Sequence, residues 1–169
     1  MKTRTRLFGA IAVLAGVAAL TFVTIASGDH GHGRGDDNNG GAVLRSSLAP
    51  SQTTDPAFHT VLPGNVSWSL DKGAVKISRK GKFDLRVKGL VITSTGTATP
   101  VTTISASLFC GADATATPAF TTGQVPISAG GDARIHQHVT LPATCLAPIV
   151  LVHPNGGTTR YIAVTGWRP

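Results

Sequence analysis

The sequence contains no glutamate: all eight of its acidic residues are aspartate. Carboxylate-pair chemistry would therefore rest on Asp alone, and no Asp pair stands out beyond Asp36-Asp37 in a glycine-rich stretch. Methionine occurs only at Met1, so a blue-copper centre with its usual weak axial Met is excluded. Aromatics are 5 % of the chain, which leaves Val, Ile, Leu and Ala to build the core. No Gly-x-Ser-x-Gly is present, so the sequence offers no nucleophile elbow for hydrolysis. No motif implies a cofactor. With Glu absent and Thr, Val, Gly and Pro prominent, the composition points to strands and turns.

What is present begins with a leader. Lys2, Arg4 and Arg6 precede an apolar run from Leu7 to Val23, and Ala26-Ser27-Gly28 supplies small residues for cleavage. Residues 1–28 are expected to be a secretory signal peptide, with an uncleaved anchor as the competing reading. With the leader removed the chain keeps no transmembrane segment. Removing Lys2, Arg4 and Arg6 leaves 12 of the 15 Lys and Arg against eight Asp, so the remainder is basic.

Residues 29–63 are expected to be a disordered or irregular linker. Asp29 to Gly41 has no apolar residue. His30 and His32 there could bind a metal loosely, and cleavage after Ser27 would put His30 at the copper- or nickel-chelating third position. Arg34-Gly35-Asp36 is an adhesion tripeptide elsewhere, but such a triplet arises by chance in a Gly-rich stretch. From Ala42 to Pro63 three prolines interrupt any regular element, leaving room for an edge strand near Phe58 to Leu62. Asn65-Val-Ser67 fits a glycosylation acceptor and reads here as a turn.

From residue 64 to 169 the pattern is that of an all-β domain. Val75 and Ile77 lead into an Arg79-Lys80-Gly81-Lys82 turn, after which Phe83, Leu85 and Val87 alternate with charged residues. Val101 to Cys110, Pro118 to Ile127, Ala133 to Leu141, Leu146 to Val152 and Arg160 to Trp167 supply further strands. About seven strands with turns between them predict an antiparallel, immunoglobulin-like β-sandwich, with a small Greek-key barrel as the alternative. The only cysteines, Cys110 and Cys145, are expected to form one disulfide in an oxidising compartment. It would close a loop of about 36 residues, for roughly 3–4 kcal/mol by the chain-entropy model.

Leu141-Pro-Ala-Thr-Cys-Leu-Ala-Pro-Ile-Val-Leu-Val152, Tyr161-Ile-Ala-Val-Thr-Gly-Trp167 and the Arg79-to-Leu90 hairpin resemble secreted proteins of high-GC Gram-positive bacteria. Those proteins have no assigned function. The resemblance spans roughly residues 64–167 and implies an exported β domain. Leu141 to Thr144 also resembles the start of a sortase wall-anchoring signal, but Cys145 stands where that signal needs Gly.

Two constellations could carry function. Lys76, Arg79, Lys80, Lys82, Arg86 and Lys88 fall on one outward face and its turn, which suits an anionic cell-envelope polymer, a membrane surface or another extracellular protein. No exposed aromatics interleave with them, so a base-stacking site for nucleic acid is unsupported. A solvated face that blocks edge pairing is the plainer reading. The second is His136-Gln-His138, whose imidazoles share one side of a strand as in some copper or zinc sites. Ile135, Val139 and Leu141 point that strand's other side inward, which leaves the histidines on the surface. A sandwich with a disulfide and His-x-His resembles copper–zinc superoxide dismutases, but His59 and His153 lie in no further ligand motif. The expectation is a secreted, non-catalytic β-sandwich that binds through its basic hairpin; the alternative is an exported metal-binding protein.

Overall fold

The computed structural model describes residues 41–114 and 117–168, and no helix occurs among them. The first strands are β1 (Ala42–Pro50), β2 (Leu62–Pro63), β3 (Trp68–Ser69), β4 (Lys72–Ser78) and β5 (Lys82–Lys88). Next come β6 (Val91–Ile92), β7 (Thr103–Phe109), β8 (Phe120–Thr121) and β9 (Val125–Pro126). The last are β10 (Ala133–His138), β11 (Ile149–Pro154), β12 (Arg160–Tyr161) and β13 (Ala163–Thr165). The leader 1–28 and the linker as far as Gly40 lie outside the described residues.

The main sheet runs β10-β5-β4-β1-β13-β11-β7-β8, with β9 also on β7, and every pairing in it is antiparallel. Strand β1 is its corner. Its first part pairs with β4, from Leu44↔Ile77 to Ser47↔Ala74. Its last part pairs with β13, from Leu48↔Thr165 to Pro50↔Ala163. The sheet curls there into two facing layers, an antiparallel all-β sandwich closed by one disulfide.

The alternation in β5 explains the packing. Phe83, Leu85 and Val87 are buried, as are Val75 and Ile77 on β4 and Ile135 on β10. They meet Ile104, Ala106 and Leu108 of β7 and Val150 and Val152 of β11. Each of these side chains other than Ala106 contributes about 1.5–3 kcal/mol on leaving water. The outer face of the second layer is covered too. Val61, Tyr161, Leu151 and Phe109 form a smaller cluster there, with the His59 ring stacked on Phe109 at 4.8 Å.

Several expectations need correction. The described part of the proposed linker is structured, because Ala42–Pro50 is a sheet strand and Val61 belongs to the second cluster. Its alternation is hidden where β1 passes between layers: Leu48 and Ala49 are adjacent, yet both are buried. The edge strand near Phe58 to Leu62 reduces to a Phe58↔Val61 bridge and β2, which pairs parallel with β12. The strand expected over Leu146–Val152 starts at Ile149 instead, and Leu146 is 72 % exposed. Pro118 to Ile127 yields two short strands, β8 and β9, in place of one. Past Gly89 the chain leaves the main sheet, and Val91–Ile92 pairs with Trp68–Ser69. Gly89 has φ +64°, and a Cβ there would lie 2.4 Å from the Asp71 carboxylate.

The disulfide joins Cys110, just past β7, to Cys145 in the loop before β11, with Cα atoms 5.0 Å apart. Those two strands are neighbours, with Ile149 opposite Phe109, so the bond fastens the end of an existing pairing.

Candidate functional site: a basic sheet face

Because side chains alternate across a strand, the buried residues of β4, β5 and β10 dictate what faces outward. On β4 these are Lys72, Ala74 and Lys76; on β5, Lys82, Asp84, Arg86 and Lys88; on β10, Arg134, His136 and His138. The register aligns them in rows. His138 lies opposite Lys82, His136 opposite Asp84, and Arg134 opposite Arg86. Lys76 sits between Asp84 and Arg45, while Lys72 faces Lys88. Arg79 and Lys80 extend the array through the turn, held by a Gly81 N–H to Ser78 carbonyl bond of 3.0 Å. All six lysines and arginines expected from the sequence are thus brought together, and all are exposed.

The two constellations read separately from the sequence form one surface. Lys80, Lys82, His136, His138, Ser78 and Gln137 line an open hollow of about 450 Å³. Arg45, Lys72 and Arg134 also belong to the face, though the sequence reading did not assign them to it. Arg134 was legible, since it shares the outward side of the histidine strand. Lys72 sits two residues ahead of the visible alternation, and Arg45 lies in the stretch read as irregular.

Asp84 is the acid inside this array. Its carboxylate accepts from Arg134 Nη2 at 2.5 Å and lies 3.2 Å from His136 Nδ1 and 3.6 Å from Arg86 Nε. Partial burial pushes its pKa up, but the Arg134 and His136 contacts and the Arg86 charge outweigh that and hold it below the usual value. Asp71 and Asp132 stand at the far margin, beside Gly89. Of the described lysines and arginines only Arg160 and Arg168 lie elsewhere, where Asp55 and Asp113 equal them in number. The excess positive charge of the described residues is therefore all on this face.

No family model matches the chain, and no curated protein or solved structure matches it. The residues alone must carry the reading. Among the described residues no group of three or more His, Cys, Asp or Glu side chains comes together as a metal site. His136 is already engaged with Asp84. No exposed aromatic alternates with the cations; Trp167, 86 % exposed, follows β13 instead.

One contact of catalytic type went unseen in the sequence because its members are 46 positions apart. Ser107 Oγ lies 2.9 Å from His153 Nε2, and His153 Nδ1 donates to the Arg160 carbonyl at 2.8 Å. With Nδ1 as donor, Nε2 accepts from the serine. Burial lowers the His153 pKa, although the bond to Arg160 works the other way. His153 is 0 % and Ser107 1 % exposed, so the pair is a satisfied polar element of the fold, out of reach of a substrate.

Proposed function

We propose that this chain is a secreted, non-catalytic β-sandwich that binds an anionic polymer of the cell envelope through the outer face of β10-β5-β4-β1. The observation that carries the reading is the set of like-charge pairs written into the register. Arg45 faces Lys76 and Lys72 faces Lys88, while Arg86 and Arg134, also opposite each other, share the single carboxylate of Asp84. Like charges directly across a ladder destabilise a sheet, by up to about 1 kcal/mol for each pair. A face that needed only solubility could alternate signs, and this one concentrates cations at a cost to the fold. A polyanion laid across it relieves that repulsion and releases counterions. The disulfide supports an oxidising, extracellular location.

The test is retention of the purified protein on immobilised polyphosphate over a salt gradient. Elution should move steeply with ionic strength, as screening requires. The double variant Lys80→Asp, Lys82→Asp should elute at markedly lower salt. Equal retention of variant and parent would end the proposal.

A further inference from the structure

At the end of the sandwich that carries the Arg79–Gly81 turn, the two layers do not close on each other. A partly enclosed cleft of about 190 Å³ remains between Val43, Leu44, Ile77, Leu108, Leu141 and Pro142, with Cys145 also on its wall. Its floor belongs to the main core: Ile77 is 1 % and Leu108 3 % exposed. Its mouth is open to solvent, because Val43 is 51 % exposed at the irregularity where β1 slips register against β4. No polar side chain lines it. A cavity of about 150 Å³ lined by Leu, Ile and Phe stays dry and takes up a benzene-sized guest. A cleft of this size and mainly apolar lining therefore suits a short alkyl segment or a ring, with only backbone atoms to offer water a hydrogen bond.

The charge around the mouth decides what such a guest would be attached to. Arg79 donates its backbone N–H to the Gly41 carbonyl at 3.1 Å, and its Nε lies 3.9 Å from where a Gly41 Cβ would stand. Val43 is two residues on. From the other side, the Gly81 carbonyl accepts from Val139 N at 2.9 Å, two residues before Leu141. The basic turn is thus fastened to both strands that lead into the cleft, and no aspartate lines it. We infer that the cleft takes the apolar tail of an anionic amphiphile, whose phosphate or carboxylate head rests on the Arg79–Lys80 turn. The inference rests on the basic-face reading and deepens it: the anionic polymer, or the lipid it is anchored to, would carry an apolar tail.

The test uses the full chain and three probes: decyl phosphate below its micelle concentration, decyl maltoside with a neutral head, and methyl phosphate with no tail. Decyl phosphate should bind at least ten-fold more tightly than either control and shift the methyl NMR signals of Leu44, Ile77 and Leu108. Replacing Arg79 and Lys80 with Gln should cost about ten-fold. Ala143→Phe, on an exposed wall residue, should block the tail while leaving polyphosphate retention unchanged. Equal binding of decyl and methyl phosphate, or shifts confined to the β10-β5-β4 face, would overturn the inference. So would an absence of decyl phosphate binding. If polyphosphate retention persists in those cases, the basic face stands and the cleft alone fails. The methyl shifts of the parent protein decide the matter even if Ala143→Phe does not fold.

Discussion

Replacing Arg45 with Glu should make the protein more stable and a poorer polyanion binder at once. Arg45 faces Lys76 across the β1–β4 ladder, so the substitution turns a like-charge pair into an opposite one. Cross-strand charge pairs contribute about 0.2–1 kcal/mol in either direction. The full swing is then about 0.4–2 kcal/mol, and exposure to solvent reduces it to about 0.3–1 kcal/mol. For a domain of this size that is a rise in Tm of roughly 1–5 °C. The same reversal at its partner should bring no such gain. Lys76 also faces Asp84, so Lys76→Glu would gain an opposite pair with Arg45 while setting two carboxylates opposite each other, and Tm should change little. Thermal unfolding followed by circular dichroism, at low salt and again in 0.5 M salt, measures both. The gain from Arg45→Glu should shrink in high salt, with Arg45→Gln falling between it and the parent. A loss of stability for Arg45→Glu at low salt, or equal effects at positions 45 and 76, would refute the register argument.

Two further outcomes are expected. The disulfide should leave no thiol for alkylation in native or unfolded protein, and its reduction should lower stability by roughly 3–4 kcal/mol; quantitative labelling of both cysteines without reductant would overturn this. Tyr161 is the chain's sole tyrosine, and its hydroxyl donates to the Pro56 carbonyl at 2.9 Å. Burial, aided by the Asp55 charge and opposed by Arg168, pushes its pKa up to about 12. The folded state therefore favours the neutral phenol: this stabilisation is complete below about pH 10, where the unfolded chain titrates, and fades as pH rises toward about 12. Tyrosinate absorbance should report the displaced titration, and Tyr161→Phe should flatten the loss of stability over that range. A midpoint at the ordinary value in the folded protein would contradict the burial described.

The parts of the fold legible in the sequence are those governed by local alternation. The β4–β5 hairpin reads directly, because Val75, Ile77, Phe83, Leu85 and Val87 keep period two on either side of a glycine turn. The six hairpin cations follow from the same rule. β1 was illegible for the complementary reason: at Leu48 and Ala49 it has cover on both sides, so its pattern loses the period that marks a one-sided strand. The start of β11 was misplaced because Leu146 looks like core while the loop that Cys145 belongs to holds it outside. The site shows the same division. That His136 and His138 face outward was readable from Ile135. That they lie against Asp84 and Lys82 depends on the pairing of β10 with β5, strands some 50 residues apart, which no local pattern carries.

Strand β1 also sets the order in which the domain can form. Its first half finds β4 within about 30 residues, so the β1–β4–β5 meander needs only short loops. Its second half waits for β13, since Leu48 pairs with Thr165. Until that last stretch arrives, Leu48 and Ala49 present an apolar half-strand with open backbone groups. Pairing across so long an interval is slow, because the closure entropy is spent before the contacts form. Folding should therefore be late and cooperative, completed by the short strand Ala163–Thr165, and the half-finished sheet is the species most open to joining another chain.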